Sequence, residues 1–130
     1  MKILVGYNGS GVAEKAVRFA TDMARRLEGQ VYIVASMEGG TGEKIEEIRR
    51  VKEDLEKVRR TVEQEGVACE TEQLARGLTP GEDLVRFADE NDIDHIVVGI
   101  EKKSRTRKLL LGSTAQFVIL KASCPVTSVK

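Results

Sequence analysis

Apolar positions along this chain alternate between two rhythms. Residues 2–7 (KILVGY) form a near-continuous apolar run closed by Asn8-Gly9-Ser10-Gly11, which predicts a buried strand and a tight turn. Ala13, Ala16, Val17, Ala20, Met23, Ala24 and Leu27 then recur at spacings of three and four, one face of an amphipathic helix, and Gly29 is placed to end it. Residues 31–36 (VYIVAS) make a second buried strand, and the glycine-rich 37–42 (MEGGTG) a connection. In the long charged stretch that follows, Ile45, Ile48, Val51, Leu55, Val58 and Val62 keep helical spacing up to Gly66. Either a coiled coil or one amphipathic helix lying on a sheet accounts for this spacing.

The second half continues the alternation. Residues 67–75 (VACETEQLA) alternate loosely and carry Glu70, Glu72 and Gln73, as an edge strand exposed on one side would. Thr79-Pro80 opens a helix, threonine at the cap and proline in the first turn, with Leu84, Val85, Phe87 and Ala88 as its buried face. Residues 94–100 are a strongly apolar strand. A basic loop follows, then a helix capped by Ser113 and built on Ala115, Phe117, Val118 and Leu120, and a short last strand at 125–129.

Strands regularly separated by helices predict an α/β fold, a doubly wound parallel sheet of five strands with helices on both faces. The first, second and fourth strands are apolar throughout and belong inside the sheet. The third is polar and the fifth short, so both suit edges. The order 3-2-1-4-5 meets these demands. The order 2-1-3-4-5 would expose VYIVAS at an edge and bury CETEQ.

Composition narrows the class. The 130 residues predict one domain, 1–130. Charged residues make up 32% yet the net charge is zero, which weighs against bulk attraction to nucleic acid or to a membrane surface. No apolar run is long enough to span a bilayer, and the amino-terminal segment reads as a strand rather than a signal peptide. Cys69 and Cys124 have neither disulfide-scaffold nor metal-site spacing; two reduced, half-buried thiols in a cytoplasmic protein are expected. His95, the only histidine, falls in a strand and reads as structural. No GxGxxG or GxxxxGK[ST] motif occurs, and aromatics at 4% supply no stacking stripe for single-stranded nucleic acid.

With the order 3-2-1-4-5 the winding reverses between the first and fourth strands, and ligands of such sheets sit beyond the carboxyl ends of the strands at that reversal. The loops meeting there follow Tyr7 and Ile100. The second holds Lys102, Lys103, Arg105, Arg107 and Lys108 before Gly112-Ser113-Thr114. A glycine that lets the backbone approach, two hydroxyls, free amides at a helix start and nearby cations suit a phosphate. A serine-capped helix behind a solvated basic loop is the competing reading.

These residues also resemble a known family. IVVGIEKKSRTRKLLLGSTAQFVILKASCPVTSVK is similar to the carboxyl-terminal signature of the universal stress proteins, KILVGYNGS to their first strand and turn, and ARGLTPGEDLVRFADENDIDHIVVG to their third helix and fourth strand. The family fold is a five-stranded parallel sheet ordered 3-2-1-4-5. Its nucleotide-binding branch carries glycine, two residues, glycine, nine residues, glycine, then serine or threonine. Gly99, Gly112 and Ser113 match; Lys102 replaces the second glycine, and Asn8 stands where the family usually has aspartate. Asn8 keeps the hydrogen-bonding shape but loses a charge that helps to hold a metal ion.

The resemblance implies an adenine-nucleotide-binding regulatory protein of the stress response, with ATP, alone or with Mg2+, as the expected cofactor and slow hydrolysis at most. It places adenine at the end of the second strand, near Ala35 and Ser36. Ribose and phosphates would run from Tyr7 and Asn8 to Gly99, Lys102, Gly112, Ser113 and Thr114. It also implies a homodimer through antiparallel pairing of the fifth strands, and a protein partner that the sequence does not name. The alternative is a homodimeric interaction module that binds no nucleotide, favoured by Lys102 and Asn8; a small hydrolase or transferase acting on a nucleotide is a third.

Overall fold

The structure, a computed structural model, describes residues 1–38, 44–101 and 111–130. Its elements are β1 (Lys2–Gly6), α1 (Gly11–Arg26), β2 (Gln30–Ser36), α2 (Ile45–Gln64), β3 (Cys69–Leu74), α3 (Pro80–Glu90), β4 (His95–Gly99), α4 (Ser113–Lys121) and β5 (Val126–Val129). All strand pairs are parallel and the order is β3-β2-β1-β4-β5, as the apolarity of the individual strands predicts. Among the described residues no helix is long and apolar enough to cross a membrane.

Side chains alternate across a strand, and here both faces are apolar. Ile3, Val5, Ile33, Ala35 and Val97 face α1 and α2, while Leu4, Val34, Ile96 and Val98 face α3 and α4. Burying an aliphatic side chain of this kind contributes about 1.5–3 kcal/mol. Only the three central strands carry this continuous double-sided apolarity, which is why they are central.

α2 lies on the sheet as one amphipathic helix. Leu55 and Val62 are buried, Val51 and Val58 pack against the same cluster, and its first residue Ile45 is 75% exposed. Three local expectations are corrected. α1 ends at the cap Leu27, and Glu28, not Gly29, takes the left-handed conformation (φ 51°). Gly29 is required for another reason: a Cβ there would lie 2.6 Å from the Met1 carbonyl oxygen, where the chain entering β2 passes the start of β1. On α4 only Ala115 and Val118 are buried and Leu120 is 71% exposed, because that helix is apolar on every side and only one stripe reaches the sheet. Cys69 is buried rather than half-buried, since it points into the α2 cluster, while Cys124 is half-buried; both thiols are free.

Candidate functional site

The carboxyl ends of β1 and β4 open onto a cavity of about 350 Å3, within the size range of small-molecule sites. Of the residues singled out in the sequence, Tyr7, Asn8, Ser36, Gly99, Gly112, Ser113 and Thr114 line it. Ala35 does not: it sits on the opposite face of β2, 4% exposed, in the cluster with α1 and α2, and its neighbour Val34 takes the place on the cavity wall. Lys102 and the other basic loop residues lie outside the described residues. Glu101 is the one charged side chain among the described lining residues.

On the β1 side the backbone N–H of Tyr7 donates to the Val34 carbonyl at 2.9 Å, carrying the β1–β2 ladder one residue past the strand. The next turn is built by side chains. Ser10 N–H donates to Asn8 Oδ1 at 3.0 Å, and Ser10 Oγ accepts from Ala13 N–H at 3.2 Å. The start of α1 is therefore capped from within. Burial first, then the carboxylates of Glu14 and Asp54, pushes the Tyr7 phenol above its ordinary range, so it is a neutral hydrogen-bonding group at physiological pH.

The β4 side differs. Gly112, not Ser113, is the N-cap of α4 and no side chain caps it; Ser113 is the first helical residue. Gln116 N–H donates back to the Gly112 carbonyl at 3.0 Å. The amides of Ser113, Thr114 and Ala115 have no hydrogen-bond acceptor among the described residues. A helix start left open in this way carries partial positive charge and orphan donors.

The two glycines of the motif have different jobs. A Cβ at Gly99 would lie 2.7 Å from the Val12 carbonyl oxygen and 2.8 Å from its carbon. This glycine lets the first turn of α1 sit on β4, a packing requirement. At Gly112 a Cβ would meet no described atom within 4 Å, and φ is −60°. Neither the described neighbours nor the backbone conformation demands glycine there.

A buried ionic cluster stands at the β2 end of the cavity. Asp83, fully buried on α3, accepts from Ser36 Oγ at 2.6 Å and from Arg76 Nε at 2.8 Å. Arg76 also donates to the Asp83 carbonyl at 3.3 Å and to Glu90 at 2.6 Å. The carboxylates of Glu90 and Asp83 raise the guanidinium pKa further. The sequence reading passed over Asp83 and Arg76. The available signal was an acid on the apolar stripe of α3, one residue before Leu84 and four before Phe87. Away from the cavity, His95 Nε2 meets Thr127 Oγ1 at 2.7 Å across β4 and β5. No group of three or more His, Cys, Asp and Glu side chains able to hold a metal ion occurs among the described residues.

Against known proteins, the model of the Universal stress protein family matches residues 1–130. Universal stress protein MJ0531 of Methanocaldococcus jannaschii is 33% identical over 140 residues, covering 99% of this chain and 81% of its own. A universal stress protein structure from Archaeoglobus fulgidus superposes with TM-score 0.88 at 42% identity, covering 100% of this chain and 93% of that one. A structure of the Archaeoglobus fulgidus protein in complex with dAMP gives TM-score 0.84 at 40% identity, covering 100% and 98%.

Proposed function

The chain belongs to the universal stress protein family, and from that premise we propose that it is an adenine-nucleotide-binding regulatory protein with ATP as its ligand. The observation that carries this is the open start of α4. Three amides without an acceptor among the described residues border a cavity at the winding reversal, beside a glycine that no described neighbour requires. That arrangement receives an anion. A relative of 40% identity was crystallised with dAMP, which supports an adenine nucleotide as the anion's carrier.

In this reading the phosphates lie at Gly112, Ser113 and Thr114, the ribose runs past Gly99 towards Tyr7 and Asn8, and the base reaches Ser36. Lys102 and its basic neighbours supply full charges. Magnesium enters as the companion of the triphosphate: Asn8 Oδ1 already accepts from Ser10, so the turn offers a metal ion little. Hydrolysis is slow at most: Glu101 is the one carboxylate on the described lining, and among the described residues no metal-holding cluster stands beside it. The protein works in the cytoplasm, as a homodimer, reporting nucleotide level to a protein partner. β5 offers the edge for dimerisation, and Leu120, on the helix leading into it, is 71% exposed.

Calorimetric titration with ATP, ADP and AMP tests the reading, together with thermal melts. A ligand at one hundred times its dissociation constant stabilises the fold by about 2.7 kcal/mol. Absence of both heat and melting shift at millimolar nucleotide rejects the proposal. A second reading, an interaction module that binds no nucleotide, draws on the Glu101 carboxylate in the cavity. Mass spectrometry of small molecules released from freshly purified protein separates the two: a copurifying adenine nucleotide rejects the second.

A further inference from the structure

The carboxyl ends of β2 and β4 are two strand spacings apart, about 10 Å, so the cavity has two distinct ends. One is the amide-rich start of α4. The other is walled by the apolar side chains of Val34 and Leu84 and carries a single hydroxyl, Ser36. Behind that hydroxyl stands Asp83, with no exposed surface and both carboxylate oxygens engaged: Oδ1 by Arg76 Nε–H at 2.8 Å, Oδ2 by Ser36 at 2.6 Å.

An ion-paired carboxylate can only accept. The single hydrogen of Ser36 Oγ is therefore committed to Asp83, and the hydroxyl shows only lone pairs to the cavity. We propose that Asp83 is a positioning residue that holds Ser36 as an obligate hydrogen-bond acceptor, so that this end of the cavity selects a base bearing an exocyclic amino group and rejects its oxo counterpart. The inference rests on the nucleotide reading above. An amino group donates to the Ser36 oxygen, whereas an oxo group brings lone pairs against lone pairs and leaves both unsatisfied, the costly case. Arg76 completes the device: paired with Glu90 as well as Asp83, it fixes the carboxylate beneath Ser36.

The test is the ratio of ATP to ITP affinity: the two ligands share ribose and triphosphate and differ at position 6, amino against oxo, and at the adjacent N1, which accepts in adenine and carries a hydrogen in hypoxanthine, so the effect assigned to Ser36 is the part of the ratio that the variants below remove. Calorimetry on the wild type is expected to favour ATP by about tenfold or more. In Asp83→Asn the amide oxygen keeps the Arg76 bond and the amide N–H2 faces Ser36. The hydroxyl must then accept and turn its own hydrogen to the cavity, so the ratio falls below about threefold or inverts. Ser36→Ala, which leaves the Arg76–Asp83 pair in place, also brings the ratio below about threefold and keeps the test decisive if the buried Asn variant does not fold. Loss of fold or of phosphate contacts lowers both affinities together and does not move their ratio. Equal wild-type affinities, or a wild-type preference unchanged in the variants, overturns this inference while leaving nucleotide binding intact. Failure of the wild type to bind either ligand removes the nucleotide reading and this inference with it.

Discussion

Gly99 and Gly112 belong to one sequence motif, and the structure predicts opposite results for the same substitution in each. In Gly99→Ala the new methyl falls 2.7 Å from the Val12 carbonyl oxygen and 2.8 Å from its carbon. Both are backbone atoms of the first turn of α1, which Ser10 caps, so relief requires moving the helix. Overpacking of this kind costs roughly 1–3 kcal/mol. At about 4 °C per kcal/mol for a chain of this size, the midpoint falls by roughly 4–12 °C. In Gly112→Ala nothing described lies within 4 Å and φ is already −60°. Lower entropy of the unfolded chain favours alanine by about 0.4–1 kcal/mol, while alanine's poorer N-cap performance costs a similar amount, about 0.5–1 kcal/mol. The terms cancel to within about 0.5 kcal/mol, a midpoint shift of roughly 2 °C at most. The methyl instead projects into the proposed phosphate space, and ATP affinity is expected to drop about tenfold or more as donors are left without their acceptor. Thermal melts without nucleotide and calorimetry with ATP read the two effects separately. A Gly99→Ala protein as stable as the wild type refutes the packing argument. Equal destabilisation by both substitutions, or wild-type ATP affinity in Gly112→Ala, refutes the assignment of Gly112 to a ligand.

Three further outcomes are expected. Burial lowers the His95 pKa below its ordinary 6.5; the unfolded chain thus takes up a proton there before the folded chain does. Its stabilising contribution is full above pH 6.5 and is lost progressively as pH falls from that value through the lower folded pKa, so melts below about pH 7 should show a slope that His95→Gln flattens. Burial, then Glu63, pushes the Cys69 thiol up to about 12, and burial raises Cys124 as well; native protein at pH 8 should react with a disulfide reagent at Cys124 before Cys69, and in guanidinium at both rapidly, whereas first labelling at Cys69 would contradict its burial. The carbonyls of Pro125 and Val129 accept from β4, so by the two-residue period Val126 and Ser128 direct their backbone groups to the free edge; Ser128→Pro should convert a dimer to a monomer in light scattering, and an unchanged mass would exclude pairing through β5.

Strand order was legible because it depends on a property each strand carries by itself. A strand with neighbours and helices on both sides must be apolar on both faces, as KILVG, QVYIVAS and HIVVG largely are, and CETEQL is not. The place of the cavity followed from that order. What the sequence left open depends on which side of a helix meets the sheet. α4 is apolar all round, so burial of Val118 and exposure of Leu120 are set by tertiary contact alone. Asp83 resembles any acid of a helical first turn until α3 is docked, when it lies beneath Ser36. Ala35 was misplaced beside the cavity because one residue of register along β2 exchanges the two faces of the sheet. Gly29 and Gly99 are required by neighbours distant in sequence, Met1 and Val12.

The two margins of the sheet are unlike. β3 carries the exposed acids Glu70 and Glu72, whereas β5 reads Val-Thr-Ser-Val without a charge. Two copies meeting along β3 would bring carboxylates together, a repulsion that discourages contact there. Only one rim is hospitable, so growth by strand addition ends once that rim is used. A pair formed through β5, as proposed, would have no second rim from which to propagate into a filament, a safeguard written into the six residues of β3 at the opposite margin.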